Sequence, residues 1–200
     1  PYGKQAQVDL GEYNMTTDEG KRKKIYFFST VLSRSRHKYV YFSEHPFTTM
    51  AAIVCHDRAF QFLDGIPQET VYDQDKLLLV DENKGDLILT EAFRKYADYR
   101  GLKLHFCRKS DPQSKGKIEN VIKYIKYNFL RGRIFVNIDT LNGQAMAWLS
   151  RTANAKIHAT TKKIPHDEWI IEKSYLRPIP DLFRPENAMD EYYVRKDNTL

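Results

Sequence analysis

Hydrophobic and polar positions first alternate along this chain and then change period. In Gln5-Ala-Gln-Val-Asp-Leu-Gly-Glu-Tyr13, Ala6, Val8 and Leu10 occupy every second position against Gln7, Asp9 and Gly11. A period of two is that of a strand with one buried face. Asp9 then projects opposite Val8 at mid-strand, although aspartate is a poor strand former. It is either an edge-strand charge or a carboxylate held rigidly for a metal. Asn14 to Lys23 is polar, and Asp18-Glu19-Gly20 reads as a hairpin turn. Lys24 to Leu32 is a strongly apolar strand, placed centrally. Ser33-Arg34-Ser35-Arg36 is a turn, and Lys38 to Ser43 is a third strand. Short connections make these three an antiparallel meander.

The period then lengthens to that of a helix. Thr48 caps a helix from Met50 to Leu63, with Ala52, Cys55, His56, Ala59, Phe60 and Leu63 near helical spacing; Gly65 and Pro67 stop it. His56 reads as packing, because no second ligand has metal spacing to it. Glu69 to Tyr72 is a short strand after a crossover, parallel to an earlier strand and ending at Asp73. Gln74 to Leu89 reads as an insertion, with Glu82-Asn83-Lys84-Gly85-Asp86 as the turn of a hairpin. Thr90 to Tyr99 is a helix closed by Gly101, and Lys103 to Cys107 is a strand. The next helix starts after the Asp111-Pro112 turn and Ser114, carries Ile118, Ile122, Ile125 and Phe129 on one stripe, and ends near Gly132. Thr140 to Ala155 is a helix with Leu141, Ala145, Trp148 and Leu149 inward, and Pro165 to Leu176 holds a short one.

The order is therefore βββ-α-β-α-β-α-α, an α/β fold with a five-stranded mixed sheet flanked by helices. Residues 1–155 read as one core, 156–185 as a connector with a short helix and proline-rich linker, and 186–200 as the start of a truncated β module beginning near Tyr192. Pro1 in place of methionine points to a fragment of a longer protein.

Charge changes the picture locally. The net charge is +6, but Arg94 to Arg133 holds twelve basic and three acidic residues, and the rest of the chain sums to −3. One segment thus holds all the positive excess, as a polyanion partner requires; the alternative is a solvated lysine-rich surface. Lys109, Lys115, Lys117, Lys123, Lys126, Arg131 and Arg133 form a candidate phosphate track around Glu119, positioning a duplex rather than reading bases. Tyr124 and Tyr127 read as packing or helix-surface residues. Cys55 and Cys107 stand alone, which argues against a zinc module or a disulfide framework and for a reducing interior. No stretch has the length and apolarity of a membrane span or a signal peptide.

Three carboxylates fall at positions of chemical interest. Asp9 lies in the first strand, Asp73 at the carboxyl end of the fourth, and Glu119 on the helix after the fifth. In this topology the first and fourth strands can be neighbours, and the Glu119 helix can cross their ends. Three acids so gathered repel and raise one another's pKa, and divalent cations remove that penalty. Oxygen ligands with open positions suit Mg²⁺ or Mn²⁺, and two such ions about 4 Å apart serve phosphodiester chemistry.

With these residues in view, the chain resembles a family. Gln5-Ala-Gln-Val-Asp9-Leu-Gly-Glu12, Val71-Tyr-Asp73 and Asp111-Pro-Gln-Ser-Lys-Gly-Lys-Ile-Glu119 are similar to the three acidic blocks of integrase-core (DDE) transposases, above all the IstA type of insertion sequences. The resemblance covers roughly Pro1 to Pro180. It implies a ribonuclease-H-like fold, two metal ions on Asp9, Asp73 and Glu119, and cleavage and strand transfer of DNA at transposon ends. It also implies a homo-oligomer, an N-terminal DNA-binding region, a C-terminal β-barrel, a separate AAA+ ATPase helper and a bacterial cytoplasmic setting. The family's frequent Asp-Asn after the second strand is here Asp73-Gln74, and its nearby glycine is absent, which makes Asp75 and Asp81 rival second ligands. Two alternatives stand beside the transposase: a ribonuclease-H-type nuclease, and a catalytically inactive DNA-binding or assembly module.

Overall fold

The computed structural model describes residues 1–73, 79–83, 86–107 and 120–180. Strands β1 (Gln5–Thr17), β2 (Arg22–Leu32) and β3 (Lys38–Ser43) form the expected meander. Helix α1 (Thr49–Leu63) leads to β4 (Glu69–Asp73). A separate antiparallel hairpin, β5 (Leu79–Asn83) and β6 (Asp86–Leu89), occupies the position read as an insertion. Helix α2 (Glu91–Arg100) and β7 (Lys103–Cys107) follow. Helix α3 is described over residues 120–125 and widens into a π-helical turn at Lys126–Leu130. The short strand β8 (Ile134–Phe135), α4 (Ile138–Trp148) with a π-helical turn at Leu149–Ala153, and α5 (Pro165–Glu172) complete the description.

The main sheet has the order β3-β2-β1-β4-β7, and β8 adds a sixth strand beside the end of β1. Two residues of pairing, Thr16 with Ile134 and Thr17 with Phe135, are too short to leave a periodic signal in sequence. β1 pairs antiparallel with β2 and parallel with β4, so it is central, and the edge-strand reading of Asp9 falls away.

Register decides which residues share a face, because paired residues point the same way. Val8, Thr30, Tyr39 and Tyr72 lie on one face, against α1 and α2. There Phe28 meets His56 edge-on at 4.9 Å and Tyr72 meets Phe93 at 5.9 Å. Asp9, Ser29 and Val40 lie on the other face, as do Gly11, Phe27 and Phe42. That face is covered by α3 and α4: Phe129 stacks on Phe42 at 5.5 Å and on Trp148 at 5.1 Å. Gly11 lies directly beneath the Phe27 ring, where an added Cβ would come within 2.3 Å of ring carbon. The glycine of the first acidic block is therefore required by packing two residues beyond Asp9.

Local signals mostly hold. Thr48 caps α1, its hydroxyl accepting from the Ala51 amide at 3.1 Å. Asp64, rather than Gly65, takes the left-handed turn that ends α1 (φ 59°). Aspartate tolerates that conformation better than most side chains. α4 begins at Ile138, capped by Asn137, earlier than the Thr140 start read from sequence. His56 is core, with its Nδ1 2.7 Å from the Ala52 carbonyl and its Nε2 3.0 Å from the Tyr72 hydroxyl.

The outer edge of β3 is closed by two asparagines. Asn154 accepts from the Lys38 amide (3.0 Å) and donates to the Lys38 carbonyl (2.9 Å). Asn142 makes the same pair of bonds to Phe42, at 2.8 and 3.0 Å. A carboxamide has one donor edge and one acceptor edge, so each replaces the strand that an open sheet edge would otherwise recruit. Residues 156–180 pack back on the core. The Trp169 indole donates to the Leu63 carbonyl (2.7 Å), and the buried Glu172 carboxylate accepts from the Gly3 and Ser35 amides (3.0 and 2.8 Å).

Two buried histidines make the fold acid-sensitive. His37 is stacked between Phe62 and Trp169 at 5.4 and 4.8 Å. Burial, with the neighbouring His166 and Lys38 charges, lowers its pKa to about 3. Burial lowers His56 to about 4. Both are neutral in the fold, and their unfolded value is about 6.5. Their stabilisation is therefore complete above that value and is lost as pH falls from about 6.5 toward 4, where the unfolded chain binds two more protons. The slope is at most about 2.7 kcal/mol per pH unit. Urea titrations at pH 7.5, 6 and 5 are expected to show a falling midpoint, and His37→Phe is expected to flatten that fall.

Candidate active site

Asp9 reaches its place through the ladder. The last paired residues of the β1–β4 register are Val8 and Tyr72. One residue further along both strands stand Asp9 and Asp73, on adjacent parallel strands about 4.8 Å apart. Asp73 is itself paired with Cys107 of β7. Asp9 and Asp73 thus lie next to one another at the carboxyl end of β4, on the face covered by α3. Ligand sites of open α/β sheets gather at such strand ends.

Asp9 is half-buried and locally fixed. Its Oδ1 accepts from the Leu10 amide at 2.8 Å, and its backbone carbonyl accepts from the buried Ser29 hydroxyl at 3.2 Å. Behind it, on the opposite face, the neutral His56–Tyr72 pair and Phe28 exclude water. Residue 119 immediately precedes the described part of α3, and Glu119 itself lies outside the described residues, as do Asp75, Lys109, Lys115 and Lys117. Asp81 is on β5 of the hairpin, which is not part of the main sheet. Among the described residues, no group of three His, Cys, Asp or Glu stands together as a metal site.

The basic stretch is less uniform than its composition. Lys123 and Arg131 are exposed. Arg133 is pinned, its Nε donating to the Phe129 carbonyl (3.1 Å) and its Nη1 to Gln144 (2.6 Å). Arg100 is buried in an ion pair with Asp57, at 2.8 Å. It belongs to the core and contributes nothing to a surface field. Tyr124 packs against Trp148 at 5.4 Å and Tyr127 is exposed, as read from the helix pattern.

No family model matches the chain. Individual proteins do. The transposase for an IS21-like insertion sequence element of Bacteroides fragilis is 48% identical over 201 residues, which is 100% of this chain and 39% of that protein. The chain is a relative of the IS21-type insertion-sequence transposases. A putative transposase for insertion sequence element IS5376 of Geobacillus stearothermophilus is 33% identical, over 89% of this chain and 44% of its own length. This transposase relative therefore spans less than half the length of these curated proteins. Its fold matches the HTLV-2 integrase catalytic core domain, solved in complex with magnesium. The TM-score is 0.57 at 16% identity, covering 82% of this chain and 94% of that one. The mixed sheet flanked by helices is thus the integrase catalytic-core fold expected from the acidic blocks. Among the described residues, no helix of the transposase relative is long and apolar enough to cross a membrane.

Proposed function

We propose that this chain is the catalytic core of a DDE transposase that cleaves DNA at transposon ends and joins the freed 3′ ends to a target. The observation that carries this reading is the parallel register that sets Asp9 beside Asp73 on the face covered by α3, whose described part follows Glu119 directly in sequence.

Asp9, Asp73 and Glu119 would hold two divalent cations, Mg²⁺ or Mn²⁺. The donor set fits, because carboxylate oxygens are the ligands that such hard cations prefer. When bound, the cations supply Lewis acidity to the phosphoryl oxygens and lower the pKa of the attacking water or 3′-hydroxyl. The chain supplies the geometry. A central strand, bonded on both sides, keeps Asp9 from moving, and the Leu10 amide orients its carboxylate. Lys109, Lys115, Lys117, Lys123, Lys126, Arg131 and Arg133 would meet the DNA backbone beside it. Of these, Arg133 must first exchange its internal partners. The same reading takes 1–155 as the core, 156–185 as a connector and 186–200 as the start of a further β module. It also takes the working enzyme as a homo-oligomer in the bacterial cytoplasm, with an AAA+ helper.

The test is strand transfer by the full-length protein on paired transposon ends with Mg²⁺, beside hydrolysis of an RNA–DNA hybrid. Wild type is expected to join ends, and Glu119→Gln to lose joining by at least about a hundredfold while still binding DNA. Cutting of the hybrid alone would replace the transposase with a ribonuclease. Binding without either reaction would leave an assembly module.

A further inference from the structure

The positive segment of the sequence does not supply the cations of a cleft that the structure forms beside it. A cleft of about 520 Å³ opens beside the described part of α3. Its cations are Arg36, Lys38 and Lys156, with the His158 ring beside them, and Asn120 and Tyr124 of α3 form its opposite wall. Val31 and Ile157 give it an apolar floor and lip. The volume lies within the usual range of ligand sites.

Several details mark it as built for an anion. Lys38 is buried, its Nζ donating to the Ala153 carbonyl at 2.8 Å and lying 5.6 Å from the Tyr124 ring centre. Burial, with the nearby Arg36 charge, lowers its pKa to about 8. Arg36 holds a left-handed backbone (φ 64°), and its Nε is buried with no hydrogen-bond partner. The His158 ring is turned by the Thr160 and Thr161 amides, which donate to its Nδ1 at 3.3 Å. Buried donors without acceptors are costly unless a ligand supplies them.

Position names the ligand class. Lys38 pairs with Val31, and Val31 with Gln7. Those residues are two steps along their strands from Val40, Ser29 and Asp9, so Lys38 lies on the same sheet face as Asp9, two strands across and about 12 Å away. Successive phosphates of one DNA strand advance about 3.4 Å along the helix axis. A strand presenting one phosphodiester at Asp9 therefore carries a phosphate about three or four nucleotides away into the cleft. We infer that this cleft binds a backbone phosphate of the DNA strand being processed, with its sugar against Tyr124 and Ile157. The inference rests on the transposase reading above.

The test is equilibrium binding of a labelled DNA duplex with a short 3′ single-stranded tail, in EDTA to prevent chemistry, over a salt series. Lys156→Glu carries it, because Lys156 is exposed and its loss disturbs no core contact. Lys38→Met is a second variant, and Lys21→Glu on the β1–β2 hairpin is the control. Lys156→Glu is expected to bind about tenfold more weakly at 0.1 M salt, and its log–log salt slope to shrink by about 1. Lys21→Glu should match wild type, and Lys156→Glu should melt as wild type does. An unchanged slope in Lys156→Glu, with wild type binding DNA here and joining ends in the Mg²⁺ assay, overturns the cleft and leaves the transposase reading intact. Loss of poly-glutamate binding with DNA binding unchanged assigns the cleft to an acidic protein and overturns it as well. Wild type that binds no DNA at any salt removes both.

Discussion

Asp9→Asn is expected to lower DNA cleavage by on the order of a thousandfold, about 4 kcal/mol in activation free energy. The substitution keeps side-chain size and shape. The amide oxygen can still accept from the Leu10 amide, and the Ser29 hydroxyl bonds the backbone and is untouched. What is lost is the negative charge. A neutral carboxamide beside Asp73 cannot balance a divalent cation, so metal affinity and rate fall together. Cleavage of a labelled transposon-end duplex, measured across a Mg²⁺ series, reads the loss, and thermal melting by circular dichroism should show less than a few degrees of change. Retention of cleavage within threefold of wild type would remove Asp9 from the site and leave its mid-strand position unexplained.

The largest stability effect is expected at the other face of the sheet. Asp57 of α1 accepts from the Tyr96 hydroxyl (2.7 Å), from Arg100 Nε (3.0 Å) and from Arg100 Nη2 (2.8 Å). The Arg100 side chain has no exposed surface. Asp57→Ala strands a buried guanidinium and a buried phenol, which costs about 3–5 kcal/mol. Against a typical total of about 5–15 kcal/mol this is severe. The mutant's urea midpoint should fall sharply, and at the high end of the cost the chain will not fold at 37 °C. The double variant Asp57→Leu/Arg100→Met removes both charges and should recover most of the loss. That recovery separates an unpaired charge from a simple packing defect. A fall below 1 kcal/mol in Asp57→Ala would mean that water reaches Arg100.

The same pair shows where composition misleads. Arg100 sits in the stretch that holds the chain's positive excess, yet it is buried at the end of α2 against Asp57 of α1. Arg133 was read as a phosphate contact and is engaged with Phe129 and Gln144. Counting charge along the polymer cannot tell a surface lysine from an arginine whose partner lies 43 residues earlier. The cleft at Lys38 is the converse case. Its cations come from the β2–β3 turn, the edge strand and the segment after α4, two short basic stretches far apart along the chain, so no single window of sequence makes it visible.

The sequence alone determined the element order, the meander, the inserted hairpin and the cap at Thr48. It also determined that Asp9 points away from Val8 and that Asp73 ends a strand. These follow from local rules, since a period of two or 3.6 and a capping hydroxyl report a residue's place on its own element. Tertiary structure decided that β1 is central, that its parallel register with β4 sets Asp9 beside Asp73, and that α3 covers that face. It also decided that Asn142 and Asn154 seal the edge of β3, and that three remote cations share one cleft. Each of these depends on how distant segments dock, and docking is settled by the summed burial of both faces of the sheet rather than by any neighbour along the chain.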